Sequence, residues 1–173
     1  RSSSAASDVY KRQGVGKSTI GKSLADRLSF SFVDIDKLIE NKEGSSINLI
    51  FRNKSENYFR RLGNIVSLEE LKKSDSVISL GGGAFLNNAI RRAVKYSSVS
   101  FWLDVDINEL TKRLNKTKRR PLLAGKNLKD NINKIYLERK KTYSEADYRI
   151  KCNFLDPETI VNKILKIYEK SGN

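Results

Sequence analysis

Gly14-Val15-Gly16-Lys17-Ser18-Thr19 opens a run in which Ile20, Leu24, Ala25 and Leu28 recur at helical spacing, which places Lys17 and Ser18 at a helix N-terminus. There the free backbone amides and the helix dipole favour a phosphate group. The lysine adds a point charge for phosphate oxygens, and the serine hydroxyl suits a magnesium ion. A complete phosphate loop reads Gly-x-x-x-x-Gly-Lys-Ser/Thr, and counting back from Gly16 puts its first glycine at position 11, where the chain has Lys11. The downstream half is intact and the upstream half is broken. A glycine-rich turn capped by a serine is the plain structural alternative.

Two carboxylates follow in Phe32-Val33-Asp34-Ile35-Asp36, at the exit of the apolar run after the first helix. Ligands of parallel α/β sheets bind beyond the carboxyl ends of the strands, so this position is chemically exposed. One aspartate suits the water shell of a magnesium ion, and the next, two residues on, can face a phosphoryl acceptor. Alternatively Asp36 only N-caps the helix through Leu38 and Ile39. The third group is Val77-Ile78-Ser79-Leu80-Gly81-Gly82-Gly83-Ala84, an apolar run ending in three glycines. Three successive glycines let backbone approach a small molecule closely and offer open amides, whereas a tight turn needs only one. No aspartate ends this run, which assigns the metal-associated carboxylate to Asp34.

Composition limits the rest. A chain of 173 residues can bury a single-domain core, and it holds no run of eighteen apolar residues that would cross a membrane. Its lone cysteine, Cys152, cannot form an internal disulfide and fits a reducing cytoplasm. With no histidine, acid–base chemistry falls to Asp, Glu, Lys or Tyr. The net charge of +14 raises the question of nucleic acid, but the lysines are scattered over polar helix faces. No basic stripe interleaved with aromatics and no helix-turn-helix pattern accompanies them, so no nucleic-acid partner is expected. Lys116–Lys126 is the dense exception, and a nucleotide's phosphates are sufficient to explain it.

The elements that must position these groups alternate. Apolar runs at Phe30–Val33, Val77–Leu80, Val99–Leu103 and Tyr148–Cys152 read as strands. Between them lie helical patterns from Lys37 to about Lys73 in two or three pieces, Asn87–Lys95, Ile107–Asn115 and Leu128–Tyr143. Asp156-Pro157-Glu158 has the cap and first-turn chemistry of a closing helix that carries Ile160, Val161, Ile164 and Leu165. Such alternation implies βαβ units and a parallel sheet. Residues 1–13, RSSSAASDVYKRQ, fit poorly as its central strand, because Ser3–Ser7 are small or polar where a buried parallel strand carries Val, Ile and Leu. Residues 3–13 read like one open frame of a transposase sequencing adapter, and the chain contains no methionine. Residues 1–13 are therefore expected to be a non-native scar, with 14–173 forming a single domain.

Six ordered motifs together resemble the shikimate kinase family from Gly14 to about Tyr168: Gly14–Thr19, Asp34 and Asp36 followed by Ile39-Glu40, Phe59-Arg60-Arg61, Ser79–Ala84, Arg120-Pro121-Leu122-Leu123-Ala124-Gly125, and Arg139 with Tyr143. The resemblance implies an α/β, three-layer P-loop kinase fold of the nucleoside-monophosphate-kinase type. That fold has a parallel five-stranded sheet flanked by helices, here with its first strand missing or replaced, and a mobile lid at about residues 116–126. It also implies a cytoplasmic monomer that transfers the γ-phosphoryl group of ATP, with Mg2+, to the 3-hydroxyl of shikimate. Carried over by position, Gly14, Val15, Gly16, Lys17, Ser18 and Thr19 hold the phosphates, Ser18 and Asp34 serve the metal, and Asp36 binds and orients the acceptor hydroxyl. Arg60 and Arg139 hold the shikimate carboxylate, Gly81, Gly82 and Gly83 meet its ring, Arg113 packs on adenine, and Arg120 closes over the transferring group. Lys17, Asp36 and Arg120 are thus the expected catalytic residues.

Three departures accompany the resemblance. Gly63 stands where the family has a glutamate four residues after the phenylalanine of its Phe-Arg pair, which loosens the support of Arg60. Lys141 takes a proline position between Arg139 and Tyr143, so the helix there is expected to run on. Loss of the central first strand is expected to make the chain unstable or inactive, because buried backbone would go unpaired. Two other readings are weighed: a related small-molecule kinase such as a gluconate kinase, and a non-catalytic basic module for nucleotides or nucleic acid.

Overall fold

The computed structural model describes residues 2–5, 16–81, 83–116 and 128–172, without the side chains of 2–5, 112–116, 128–129 and 131–132. Five strands, β1 (Ser2–Ala5), β2 (Ser31–Asp34), β3 (Ser76–Ser79), β4 (Ser98–Asp104) and β5 (Tyr148–Lys151), form one parallel sheet in the order β2-β3-β1-β4-β5. Among the described residues eight helices connect and cover them: α1 (Lys17–Leu28), α2 (Ile35–Glu43), α3 (Ile47–Lys54), α4 (Glu56–Glu70), α5 (Asn88–Ser97), α6 (Ile107–Lys116), α7 (Leu128–Tyr143) and α8 (Pro157–Lys170). A short 3-10 turn, Ala84–Leu86, follows β3.

The two faces of the sheet carry separate cores, which is why β4 is buried on both sides. Phe101, Leu103 and Val99 pack with Ile20 and Leu24 of α1 and with Ile160, Val161 and Ile164 of α8. Trp102, with Ile78 and Leu80 from β3 and its exit, packs with Ile35, Ile39, Phe59, Val66, Ile90 and Tyr143 on the other face. Each fully buried side chain of this size contributes about 1.5–3 kcal/mol relative to an exposed one. The period-2 alternation of β4 thus serves two helical layers, and the fold is the three-layer parallel α/β architecture expected from the sequence.

The centre of the sheet corrects one expectation. The first strand is not missing: Ser2–Ala5 pairs with β3 through Ser4↔Ile78 and Ala5↔Ser79 and with β4 through Ser2↔Ser98, Ser3↔Val99 and Ser4↔Ser100. A ladder is made by backbone groups, which serine and alanine present as well as valine does. What the segment lacks is the apolar burial that a Val/Ile run would add at the same place.

The helices between β2 and β3 are tied together by a polar cluster. Lys54 Nζ at the end of α3 meets Glu43 Oε2 at 2.6 Å, and the Tyr58 hydroxyl of α4 donates to Glu43 Oε1 at 2.9 Å. The Lys54 ammonium also lies over the Tyr58 ring at 4.8 Å. Hydrogen bonds from Lys54 and Tyr58 hold the Glu43 carboxyl below its ordinary value, and the bond to Glu43 raises Lys54. A depressed carboxyl stabilises the fold above its unfolded value and stops doing so as pH falls through its folded value. A raised lysine acts below its unfolded value and is lost as pH rises through the folded one. The melting temperature is therefore expected to be flat through neutral pH and to fall at both extremes, and Glu43→Gln should remove part of the acid limb in a pH series of thermal melts.

Candidate active site

The chain order places a crevice at the carboxyl end of β1. From β1 it turns through α1 to the β2 edge and returns by β3, and only then crosses to β4 on the other side. Groups at the exits of β1, β2 and β3 therefore meet at a topological switch point.

At the start of α1, Gly16 is the N-cap with φ 75°, a left-handed conformation that favours glycine, and no side chain caps the helix. The first-turn amides are thus left to whatever binds in front of them. Lys17 reaches across the crevice, its Nζ donating to the Leu80 carbonyl at 3.1 Å. The Ser18 hydroxyl donates to Asp34 Oδ2 at 2.6 Å, joining the loop to the end of β2. Thr19 is exposed. Gly14 and Val15 lie outside the described residues.

Asp34 has a second task, which the plain alternative for this pair had given to Asp36. Its Oδ1 accepts from the Lys37 amide at 3.3 Å and so N-caps α2. Asp36 sits within the first turn instead, which overturns the reading of Asp36 as the cap. A cap must precede the helix by adopting an extended backbone, and Asp34 does so with φ −101° and ψ 110°. Asp36 is thereby released to project from the first turn, where negative charge is favoured by the helix dipole.

The glycine segment after β3 is shaped by what stands behind it. A Cβ on Gly81 would fall on Asp36 Oδ1, and one on Gly83 would stand 2.6 Å from Nη1 of Arg60. Gly83 also has φ +123°, a conformation that side chains rarely adopt. The two outer glycines are therefore notches, one for the carboxylate from α2 and one for the guanidinium from α4. Gly82 lies outside the described residues. Arg60 is held by Glu56, one helical turn earlier, with Nη2 at 3.0 Å and Nε at 3.3 Å from Oε1. Sequence reasoning missed Glu56, although its i,i+4 spacing from Arg60 could have revealed it. Gly63, on the same helix, faces Ile39, whose Cδ1 would lie 3.5 Å from an added Cβ.

Arg139 comes from α7, which packs against the Ala84–Leu86 turn, as does α4. It is partly buried, with Nη1 wholly so, and Tyr143 one turn on wedges between Phe85 and Trp102 at centroid distances of 6.4 and 6.1 Å. The helix runs unbroken through Lys141 to Tyr143, as the absence of proline predicts. Arg120 lies outside the described residues, and so does the side chain of Arg113, whose backbone belongs to α6.

A hydroxyl and a carboxylate 2.6 Å apart are hard oxygen donors of the kind magnesium takes when phosphates and water complete its shell. Among the described residues no cluster of three or more His, Cys, Asp or Glu forms a closed metal cage. An ion held mainly by a nucleotide needs none, so the Ser18–Asp34 pair fits such an ion. Among the described residues no helix is long and apolar enough to cross a membrane.

Comparison with known proteins agrees with this geometry. The family profile described as shikimate kinase matches residues 13–169. Shikimate kinase of Persephonella marina is 42% identical over 152 residues, covering 88% of this chain and 92% of that protein. A solved shikimate kinase from Acinetobacter baumannii in complex with shikimate superposes with a TM-score of 0.87 at 28% identity, over 98% of this chain and 93% of that one. A gluconokinase from Sinorhizobium meliloti superposes over 99% of this chain and 98% of its own with a TM-score of 0.57 at 12% identity, a likeness of fold alone. With a phosphate loop facing Asp34, glycine notches behind Asp36 and Arg60, and relatives alike over nearly the whole length, this chain belongs to the shikimate kinase family.

Proposed function

We propose that this chain transfers the γ-phosphoryl group of ATP to the 3-hydroxyl of shikimate, the ATP-dependent kinase step of aromatic amino acid biosynthesis, as a cytoplasmic monomer. The observation that carries the proposal is the convergence on Leu80–Gly83 of Lys17 from the phosphate loop, Asp36 from α2 and Arg60 from α4. Phosphate groups and a hydroxylated carboxylic acid are what these three charges, in this order along the crevice, would hold.

In this reading the first-turn amides of α1 and Lys17 bind the β- and γ-phosphates, and Lys17 exchanges the Leu80 carbonyl for phosphate oxygen. Mg2+, held by Ser18 and through water by Asp34, would neutralise phosphate charge when bound. Asp36 orients the acceptor hydroxyl in line with the γ-phosphorus and takes its proton late in the transfer. Arg60 and Arg139 grip the substrate carboxylate, a planar anion matched to the guanidinium fork. Arg120 screens the transferring group and Arg113 packs on the adenine.

Coupled measurement of ADP release tests the assignment. Release is expected to depend on shikimate and to be absent with gluconate, both in this chain and in a variant whose residues 1–13 are exchanged for the corresponding segment of the Persephonella marina relative. Gluconate-dependent release, or no shikimate-dependent release from either protein, overturns it. Steep, salt-dependent RNA binding without turnover would favour the non-catalytic module instead.

The notch at Gly83 gives a sharper expectation. Gly83→Ala forces a methyl to within 2.6 Å of Arg60 Nη1 and strains a backbone at φ +123°. The KM for shikimate should rise about tenfold, the equivalent of 1.4 kcal/mol of lost carboxylate binding. The KM for ATP should stay near its original value, and steady-state kinetics with each substrate varied in turn would read the difference.

A further inference from the structure

Arg91 stands in the first turn of α5, where the helix dipole opposes a cation, yet its side chain is only 18% exposed. Specific partners offset that position. Its Nη1 donates to the carbonyls of Phe85 at 2.9 Å and Leu86 at 2.8 Å, Nη2 to Asn88 Oδ1, and Nε to Glu145 Oε2 at 3.1 Å. One planar fork thus joins a turn, a helix start and a segment 54 residues away.

Both ends of this span lead into the proposed substrate site. On one side the Leu86 amide donates to the Gly83 carbonyl at 3.2 Å, and the Ala84 amide to that of Gly81 at 3.0 Å. The guanidinium therefore closes the turn whose glycines make room for Arg60 and Asp36. On the other side the Glu145 amide donates to the Thr142 carbonyl at 3.1 Å, in the last turn of α7, the helix that carries Arg139. Asp147 ties the same segment to β4, accepting from the Ser100 amide at 2.8 Å and from its hydroxyl at 2.6 Å. Phe85 and Tyr143 also join the two sides, with ring centroids 6.4 Å apart. Apolar packing of that kind is non-directional, whereas the guanidinium bonds fix an angle.

We infer that, given the reading in which Arg60 and Arg139 share the shikimate carboxylate, Arg91 is a positioning residue for that pair. It braces the turn bearing the Gly83 notch, where Arg60 lies, against the end of α7. Two guanidinium groups grip one planar anion only when their separation matches it, and a misplacement of about 1 Å weakens the grip. Glu145 is 56% exposed, so its ion pair adds little to stability, and its effect is expected in substrate binding.

Arg91→Gln is expected to raise the KM for shikimate about tenfold and to leave kcat and the KM for ATP within about twofold of the parent. Arg91→Lys keeps a charge for Glu145 but loses the fork that serves two carbonyls, and its KM should fall between the two. Glu145→Gln, at an exposed side chain that folding tolerates, should raise the same KM about threefold. Arg92→Gln, at an exposed neighbour on α5, should move neither KM. A residue that only stabilises the fold would lower the melting temperature and the amount of active protein, leaving both KM values where they were. The proposal is overturned if Arg91→Gln keeps the KM for shikimate within about twofold of the parent, if both KM values rise together, or if Arg92→Gln has the same effect. Amide hydrogen exchange reads the brace without turnover: in Arg91→Gln, exchange should quicken both at residues 84–87 and at 144–146. Faster exchange at 84–87 alone would mean that no brace reaches α7, and overturns the proposal whatever the substrate. A parent without shikimate turnover, beside a variant loosened at both segments, would overturn the substrate reading and support the brace.

Discussion

Lys17→Ala is expected to lower kcat by about 10³-fold, the size of effect seen when a preorganised charge is removed from developing transition-state negative charge. The Lys17 ammonium lies at the crevice, 3.1 Å from the Leu80 carbonyl. Binding of the phosphates therefore requires a partner exchange and no reorganisation of the fold. Phosphoryl transfer leaves little covalent work to the protein, so the rate follows from positioning and charge, and in the proposed role Lys17 supplies both at the β/γ bridge. The structural cost of the change is small by comparison. One half-buried hydrogen bond is lost, about 1 kcal/mol, which lowers the melting temperature of a domain of this size by about 2–4 °C. Steady-state kinetics beside a thermal melt would separate the two. A kcat within tenfold of the parent, with the melt unchanged, would remove Lys17 from the mechanism. Lys17→Arg should not rescue, because a planar fork cannot occupy the place of a compact ammonium beneath the Leu80 carbonyl.

The parts of this design that were legible in the sequence are those written in spacing. Ile20, Leu24 and Leu28 repeat as a helix must, and the structure buries Ile20 and Leu24 where that repeat puts them. Val77–Leu80 is a short run that is apolar but for Ser79, and all four residues are buried because parallel strands are covered on both faces. What spacing could not show were groups that meet through the backbone or across the fold. The link from Lys17 to the Leu80 carbonyl spans 63 residues and ends on an atom every residue possesses, so no residue type announces it. Asp34 and Asp36 are chemically alike, and only the strand-to-helix switch at Ile35 decides which of them caps and which projects. Ser2–Ala5 misled for the opposite reason. Its residue types argue against a central strand, but a gap between β3 and β4 with open ladder groups on both sides accepts any chain that presents amides in register.

The glycines were legible as a motif and illegible as geometry. Three glycines after a strand suggest contact with a ligand, and that suggestion treats them as one surface. The structure divides the work: Gly81 makes room for Asp36 and Gly83 makes room for Arg60. The empty Cβ positions thus let two charged side chains from different helices approach one loop. The separate notches also predict separable failures, since crowding Gly83 disturbs carboxylate binding and crowding Gly81 disturbs the group nearest the reacting hydroxyl. Glu56 belongs to the same scheme. Its grip on Arg60 is an exposed ion pair with Glu56 64% and Arg60 36% exposed, and such pairs contribute about 0–1 kcal/mol to stability. In the proposed role of Arg60, this pair holds the guanidinium in one orientation for the substrate.

Asp36→Asn should lower kcat by about 10²–10⁴-fold with little change in the KM for shikimate. Asparagine keeps the shape of the side chain and can still meet the acceptor hydroxyl, so ground-state binding survives. It cannot accept a proton and carries no charge, so an interaction that strengthens as the hydroxyl loses its proton is lost from the transition state alone. The position makes this a clean substitution. Asp34, and not Asp36, caps α2, so the helix keeps its N-terminal hydrogen bond when residue 36 becomes neutral. Gly81 presents no Cβ against the new amide, so the side chain can keep its place. Asp36→Ala serves as the reference, because it removes proton acceptance and orientation together. If Asn is as slow as Ala, proton acceptance is the contribution that matters. If Asn instead keeps most of the parent rate while Ala does not, Asp36 orients the hydroxyl and the proton leaves by another route, and the role proposed for Asp36 as base is wrong.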